Sequence, residues 1–295
     1  MRVRNCRLAA ANMQPRSKSG FTLIELLIVL VIIGIVVALA LPAITGAVST
    51  AKRARMAMEL SQLESAIEAY KTANGGEYPP DFSPDSIASG LISTHLRRAF
   101  PRNTVNMDAN WWANAYRPGT YFGVTNPMFK NVDPAEAIVF WLSGLVNNPQ
   151  NPLNPVDANG NLIGQAKVYF DFRPEQLRDL DGDGWPEYYP KDVSTAPYVY
   201  FESHTYLSPL AVYPQVNPSP IGQARPYLDA TVPIPPGAGV YPNKFQLICG
   251  GLDGHYGADV PNARKLFPVG ENYTLEDRDN LTNFSEGKTL DAKSR

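Results

Sequence analysis

The side chains in this sequence that could do chemistry are mostly carboxylates, in three places. Glu25 stands alone inside an apolar run from Phe21 to Leu41, otherwise interrupted only by Thr22 and Gly34. A carboxylate at membrane depth costs about 2.5–3.5 kcal/mol on insertion scales, so Glu25 calls for a partner. Asp179, Asp181 and Asp183 alternate in Asp179-Leu180-Asp181-Gly182-Asp183-Gly184-Trp185-Pro186-Glu187. Hard oxygen donors at that spacing suit calcium, which takes about six to eight of them. Without a cation, neighbouring aspartates repel by about 1 kcal/mol per pair at roughly 4 Å even in water. The third place joins Gly251-Leu252-Asp253-Gly254 to Glu276-Asp277-Arg278-Asp279-Asn280. Bond-breaking chemistry has little to build on. The histidines, His95, His204 and His255, are far apart, and no His-Glu-x-x-His, Gly-x-Ser-x-Gly or Gly-x-x-x-x-Gly-Lys pattern occurs. The chain reads as a non-enzyme.

The elements that must position these groups begin with the apolar run. It is long enough for a membrane-spanning helix, which needs about 20 residues. Arg2, Arg4, Arg7, Arg16 and Lys18 precede it without an acid, which places that end on the cytoplasmic side. Ala38-Leu39-Ala40 resembles a secretory cleavage site, but an ordinary signal has an apolar core of only about 7–15 residues. A plain signal anchor accounts for the length and leaves Glu25 unexplained. A buried core helix conflicts with the near-unbroken apolarity and the basic flank.

Gly20-Phe21-Thr22-Leu23-Ile24-Glu25-Leu26-Leu27 resembles the cleavage and methylation motif of type IV prepilins and type II secretion pseudopilins. The resemblance implies cleavage after Gly20 by a prepilin peptidase, N-methylation of Phe21, and pairing of Glu25 with the terminal amine of a neighbouring subunit. It further implies a fibre of pseudopilins in contact with an inner-membrane platform and lipid, the globular part lying in the periplasm. The alternatives are a surface type IV pilin for adhesion, motility or DNA uptake, and a membrane-anchored calcium-dependent binding module. The acidic C-terminal segment is similar to the calcium loop of major pseudopilins, which makes Asp253 and one of Asp277 or Asp279 candidate ligands. A long insertion, residues 255–275, separates them. The Asp179–Glu187 stretch matches the first half of an EF-hand-type loop, but position 12 is Pro190.

The expected organisation is a leader at 1–20, a transmembrane helix at 21–42, its amphipathic continuation at 43–74 and an exported domain at 75–295. Met56, Leu60, Leu63, Ile67 and Tyr70 form one apolar stripe, with Glu59, Gln62, Glu64, Glu68 and Lys71 on other faces. Pro42 predicts a kink or local melting, and Asn74-Gly75-Gly76 a helix end. Phe21 to Lys71 as one helix would measure about 75 Å. Ser83 and Asp133 are expected to cap two shorter helices, each with proline in its first turn. Lys167–Phe172, Pro197–Glu202 and Lys244–Cys249 read as strands. The fold class is α+β, a long helix against a small antiparallel sheet with large loops, including a Pro- and Gly-rich one at 214–242. Lys52, Arg53 and Arg55 read as a solvated helix face. Trp111, Trp112, Tyr116, Tyr121 and Phe122 read as an aromatic cluster for packing.

The formal charge is −2, and removing the five basic leader residues gives −7. That disfavours nucleic acid as a partner. Cys6 lies in the leader and Cys249 is the other cysteine. A processed chain therefore has no internal disulfide to close its loops.

Overall fold

The computed structural model describes residues 20–145, 150–153, 167–193, 195–216, 219–232, 239–258 and 264–293. The leader basic residues lie outside the described residues, as do parts of the 214–242 and 255–275 loops. The chain divides into two units, Met1–Val48 and Ser49–Arg295.

Helix α1 covers Leu23–Ala73 and so contributes to both units. Thr22 and Glu25 set its start. Thr22 N–H donates to Glu25 Oε2 at 2.8 Å, and Glu25 N–H donates to Thr22 Oγ1 at 3.3 Å. This reciprocal capping box satisfies two amides that a helix start otherwise leaves unpaired. The melting expected at Pro42 does not occur, since the chain is helical through it. Losing one donor leaves the turns on either side intact. The helix ends where Gly75 and Gly76 take positive φ and Gly76 N–H reaches Lys71 O at 2.9 Å.

The second unit is α+β. After α1 come α2 (Pro84–Ala88), α3 (Leu91–Ala99), α4 (Ala109–Asn114), α5 (Ala137–Leu142) and α6 (Leu290–Lys293). The strands are β1 (Thr120–Tyr121), β2 (Val124–Thr125), β3 (Leu177–Arg178), β4 (Glu187–Tyr188) and β5 (Val199–Glu202). They continue as β6 (Leu228–Asp229), β7 (Phe245–Cys249), β8 (Leu266–Phe267) and β9 (Leu281–Thr282). The central sheet has the order β5-β7-β9 and is antiparallel, Tyr200 opposing Leu247 and Cys249 opposing Leu281.

Both faces of this sheet are covered. Tyr198, Tyr200, Phe245, Leu247 and Cys249 pack with the α1 stripe and with Trp141 of α5. Val199, Phe201 and Ile248 pack with Tyr213, Tyr227, Tyr256 and Phe284 on the other side. Double burial explains why β5 and β7 are mostly apolar and aromatic rather than alternating, with Glu202 and Gln246 their polar members. Gln246, also buried, exchanges hydrogen bonds with the main chain of Tyr227, accepting at 2.7 Å and donating at 2.8 Å.

Several expectations need correction. Lys167–Phe172 is not a strand. Its Tyr169 and Phe170 amides both turn to Leu142 O at the end of α5, and Tyr169 packs edge-on against Tyr70. The helix expected after Ser83 is the short α2, and Gly90 with φ 73° separates it from α3. Ser83 does not cap the first; Asp81 accepts from Ser83 N–H and Ser86 Oγ instead. Asp133 does accept from the Ala135 and Glu136 amides ahead of α5. Arg53 and Arg55 are not a free basic face, because they pair with Asp279 and Asp192.

Glu59 is the largest departure. It lies within the buried stripe, not on a solvent face. Tyr198 Oη donates to it at 2.8 Å, Gln176 Nε2 at 3.2 Å and Arg173 at 3.2 Å. These bonds fasten α1 to β5 and to the β3–β4 region. Glu59→Leu orphans two buried donors at about 1–3 kcal/mol each. It is expected to lower stability in a denaturant titration by about that amount or more, and Glu59→Gln by much less.

Candidate functional site

Glu25 occupies the first turn of α1, five positions after Gly20. Its Oε2 accepts from both the main-chain N–H and the Oγ1 of Thr22, at 2.8 and 2.7 Å. Its Oε1 has no partner among the described residues. The apolar side chains from Phe21 to Leu41 are exposed around it. The most apolar stretch of α1 has a mean hydropathy of 3.2 with no residue buried, so the helix is long and apolar enough to cross a membrane. This end of the chain thus presents a greasy surface, one carboxylate and a peptide bond at Gly20-Phe21.

The Asp179–Glu187 stretch is the loop of the β3–β4 hairpin, in which Arg178 opposes Glu187. Asp179 organises the loop, its carboxylate accepting from the amides of Gly182 at 2.7 Å and Gly184 at 2.9 Å. Gly184 takes φ 93°, and a Cβ there would lie 2.8 Å from Pro127 and 2.9 Å from Val124. Trp185 anchors the turn by donating from Nε1 to Met128 O at 3.0 Å. The structure brings Asp181 and Asp183 to Glu136, one oxygen of each lying within 4.8 Å of the others. Sequence reasoning missed Glu136. Its visible signal is the Asp133-x-x-Glu136 box, in which Glu136 Oε2 accepts from Asp133 N–H at 3.0 Å. Asp133 and Glu187 complete a group of five acids that make no ion pair among the described residues. Burial, then mutual repulsion, pushes Glu187 up to about 8 and Asp133 up to about 7. Burial also raises Asp183 to about 6, and Glu136 lies well above the usual carboxylate range.

The C-terminal acids are divided. Asp277 is fully buried and pairs with the buried Lys265 at 2.5 Å. Its other oxygen accepts from Thr274 N–H and Oγ1. Asp279 holds Arg53 with Oδ1 and accepts from Leu252 N–H with Oδ2 at 2.6 Å. Asp253 accepts from His255 N–H at 2.9 Å. Arg278 pairs with Asp291 at 3.0 Å.

The histidines serve packing and turns. His95 is buried, bonded by Nε2 to Tyr70 Oη at 2.9 Å and set edge-on against Trp141. His204 pairs with Glu202, and His255 Nδ1 accepts from Gly257 N–H. Of the expected aromatic cluster, Trp112 is buried and Trp111 stacks on Phe129, whereas Tyr116 and Phe122 are exposed.

An exposed apolar helix that opens on a carboxylate, with an α+β unit following in the chain, defines a pilin-like subunit. Residues 15–41 match the family described as Prokaryotic N-terminal methylation motif. The chain is 39% identical over 67 residues to type II secretion system core protein G of Klebsiella michiganensis, and likewise to that of Aeromonas hydrophila. Each match covers 23% of this chain and 46% of the relative, so the chain spans about half the length of these relatives. With the Pseudomonas aeruginosa protein of the same name it shares 31% identity over 117 residues, 37% of this chain and 80% of the relative. The chain belongs to the family of type II secretion system core protein G, the pseudopilins. No solved structure matches it. The members of this family are structural subunits.

Burial lowers His95 from 6.5 to about 4. On acidification the unfolded chain therefore takes up this proton before the folded one. Stability is lost from about pH 6.5 down to about pH 4, by up to roughly 3 kcal/mol from this group. In thermal melts across that window, His95→Gln is expected to lose less stability on acidification than the parent protein.

Proposed function

We propose that this chain is the precursor of a pseudopilin that is cut after Gly20, methylated at Phe21 and assembled into the fibre of a type II secretion system. The observation that carries this reading is Glu25, exposed with an open Oε1 on the first turn of a helix whose other exposed side chains are apolar. Cutting the Gly20-Phe21 bond creates an amine at the start of that helix. An α-amine has an unperturbed pKa of about 7.7–8.0, so it can be cationic near neutral pH. Pairing Glu25 of one subunit with that amine of the next removes the insertion cost of an isolated carboxylate, about 2.5–3.5 kcal/mol. The pairing favours the fibre over the free subunit in lipid and fixes the stagger between neighbours.

On this reading the precursor sits in the inner membrane with its leader in the cytoplasm and its second unit in the periplasm. Its partners are the prepilin peptidase, other pseudopilins, the inner-membrane platform and lipid. Growth of the fibre drives protein export.

The test is the mass of the native protein together with the behaviour of Glu25→Leu. The expected result is a product lacking its first twenty residues and carrying a methylated Phe21. Glu25→Leu should be inserted and cut normally, yet yield at least about tenfold less fibre, the loss expected from 1.4 kcal/mol per contact. A retained leader, or normal fibres from Glu25→Leu, would contradict the proposal.

A further inference from the structure

The β3–β4 hairpin and α5 hold a second feature, separate from the fibre-forming end. Five carboxylates, Asp133, Glu136, Asp181, Asp183 and Glu187, converge where the hairpin loop meets the start of α5. A lone acidic loop would be a solvated turn. Here the decisive side chain is Glu136, which is only 1% exposed. Its Oε2 accepts from Asp133 N–H, but its Oε1 is buried with no hydrogen-bond partner. A buried carboxylate oxygen left without a partner is unfavourable unless something cationic or protic meets it. The groups it approaches are acids.

We infer that Glu136, Asp181 and Asp183 bind one divalent cation of the calcium type. Calcium binds oxygen at about 2.3–2.6 Å, so ligands on opposite sides of the ion stand up to roughly 5 Å apart. The oxygens offered by these residues lie within 4.8 Å of one another. The donor set is all oxygen and anionic, as a hard cation requires. Glu136 also answers a difficulty in the loop sequence. An EF-hand-type loop closes with a glutamate at its twelfth position, where this chain has Pro190. The missing acid is supplied by Glu136, the residue just before α5, whose Phe140 packs against Trp185 of the hairpin at 5.5 Å between ring centroids. Glu187, buried in β4, holds Leu180 N–H at 3.4 Å and positions the loop. The site does not include Asp253, Asp277 or Asp279.

The full-length chain in detergent is titrated with calcium chloride by calorimetry, and melted in calcium and in chelator. Glu136→Gln, Asp181→Asn and Asp183→Asn are compared with Asp253→Asn. The expected result is one calcium per chain, with a higher melting temperature in calcium. Glu136→Gln and Asp183→Asn should each weaken binding at least tenfold, and Asp253→Asn should bind as the parent does. In chelator, Asp181→Asn should melt no lower than the parent, because it removes one repelling charge. That comparison separates loss of the ion from misfolding. No binding up to about 1 mM, the weak end for extracellular calcium modules, would overturn the inference. So would binding that survives Glu136→Gln and Asp183→Asn together, or binding abolished by Asp253→Asn alone.

Discussion

A carboxylate that must be neutralised in an apolar setting is the constraint around which this chain is arranged. Glu25 is the only charged residue between Phe21 and Leu41. Alone it opposes the insertion of α1 into lipid, and a cation beside it removes that opposition. The Thr22 box supplies two donors to one oxygen but no charge. A positive group must therefore come from outside the segment, and on the proposed reading cleavage after Gly20 would make one. On the proposed reading, the exposed apolar side chains of the first unit would meet lipid or the helices of like subunits.

The second unit faces a different demand. Cys249 is the one cysteine in the sequence of this unit, so its many loops are held without a disulfide inside it. The structure meets this demand with a sheet buried on both faces and with charges that cross between distant segments. Glu59 is bonded to Arg173, Gln176 and Tyr198. Arg53 pairs with Asp279, and Lys265 with Asp277. Glu59 and Arg53 reach partners more than a hundred residues away, whereas Lys265 and Asp277 are 12 residues apart. Breaking a buried pair costs more than forming it contributes, since the remaining charge is left uncompensated.

Much of the fold was legible. The apolar run, the stripe from Met56 to Tyr70 and the glycine stop are local patterns, and β5 and β7 are rich in β-branched and aromatic residues. What escaped was non-local. Spacing puts Glu59 beside a polar face; only Tyr198, far along the chain, shows that it is buried. Lys167–Phe172 has strand-forming residues, but the end of α5 takes its amides and no partner strand reaches it. The acidic loop was legible as a loop, and its meeting with Glu136 was not, because that depends on how the hairpin packs against α5. Asp277 looked available until Lys265, inside the insertion, proved to be its counter-ion.

The pairing of Glu25 with a neighbour's terminus can be tested without altering either group. Fibres assembled from a mixture of isotopically light and heavy subunits are treated with a membrane-permeant carbodiimide, which joins a carboxylate to an adjacent amine. Digestion and mass spectrometry then read which chains were joined. The account predicts a light–heavy crosslink between Glu25 and the amino terminus at Phe21. Fibres in which that terminus is never joined to Glu25 of another chain would contradict it.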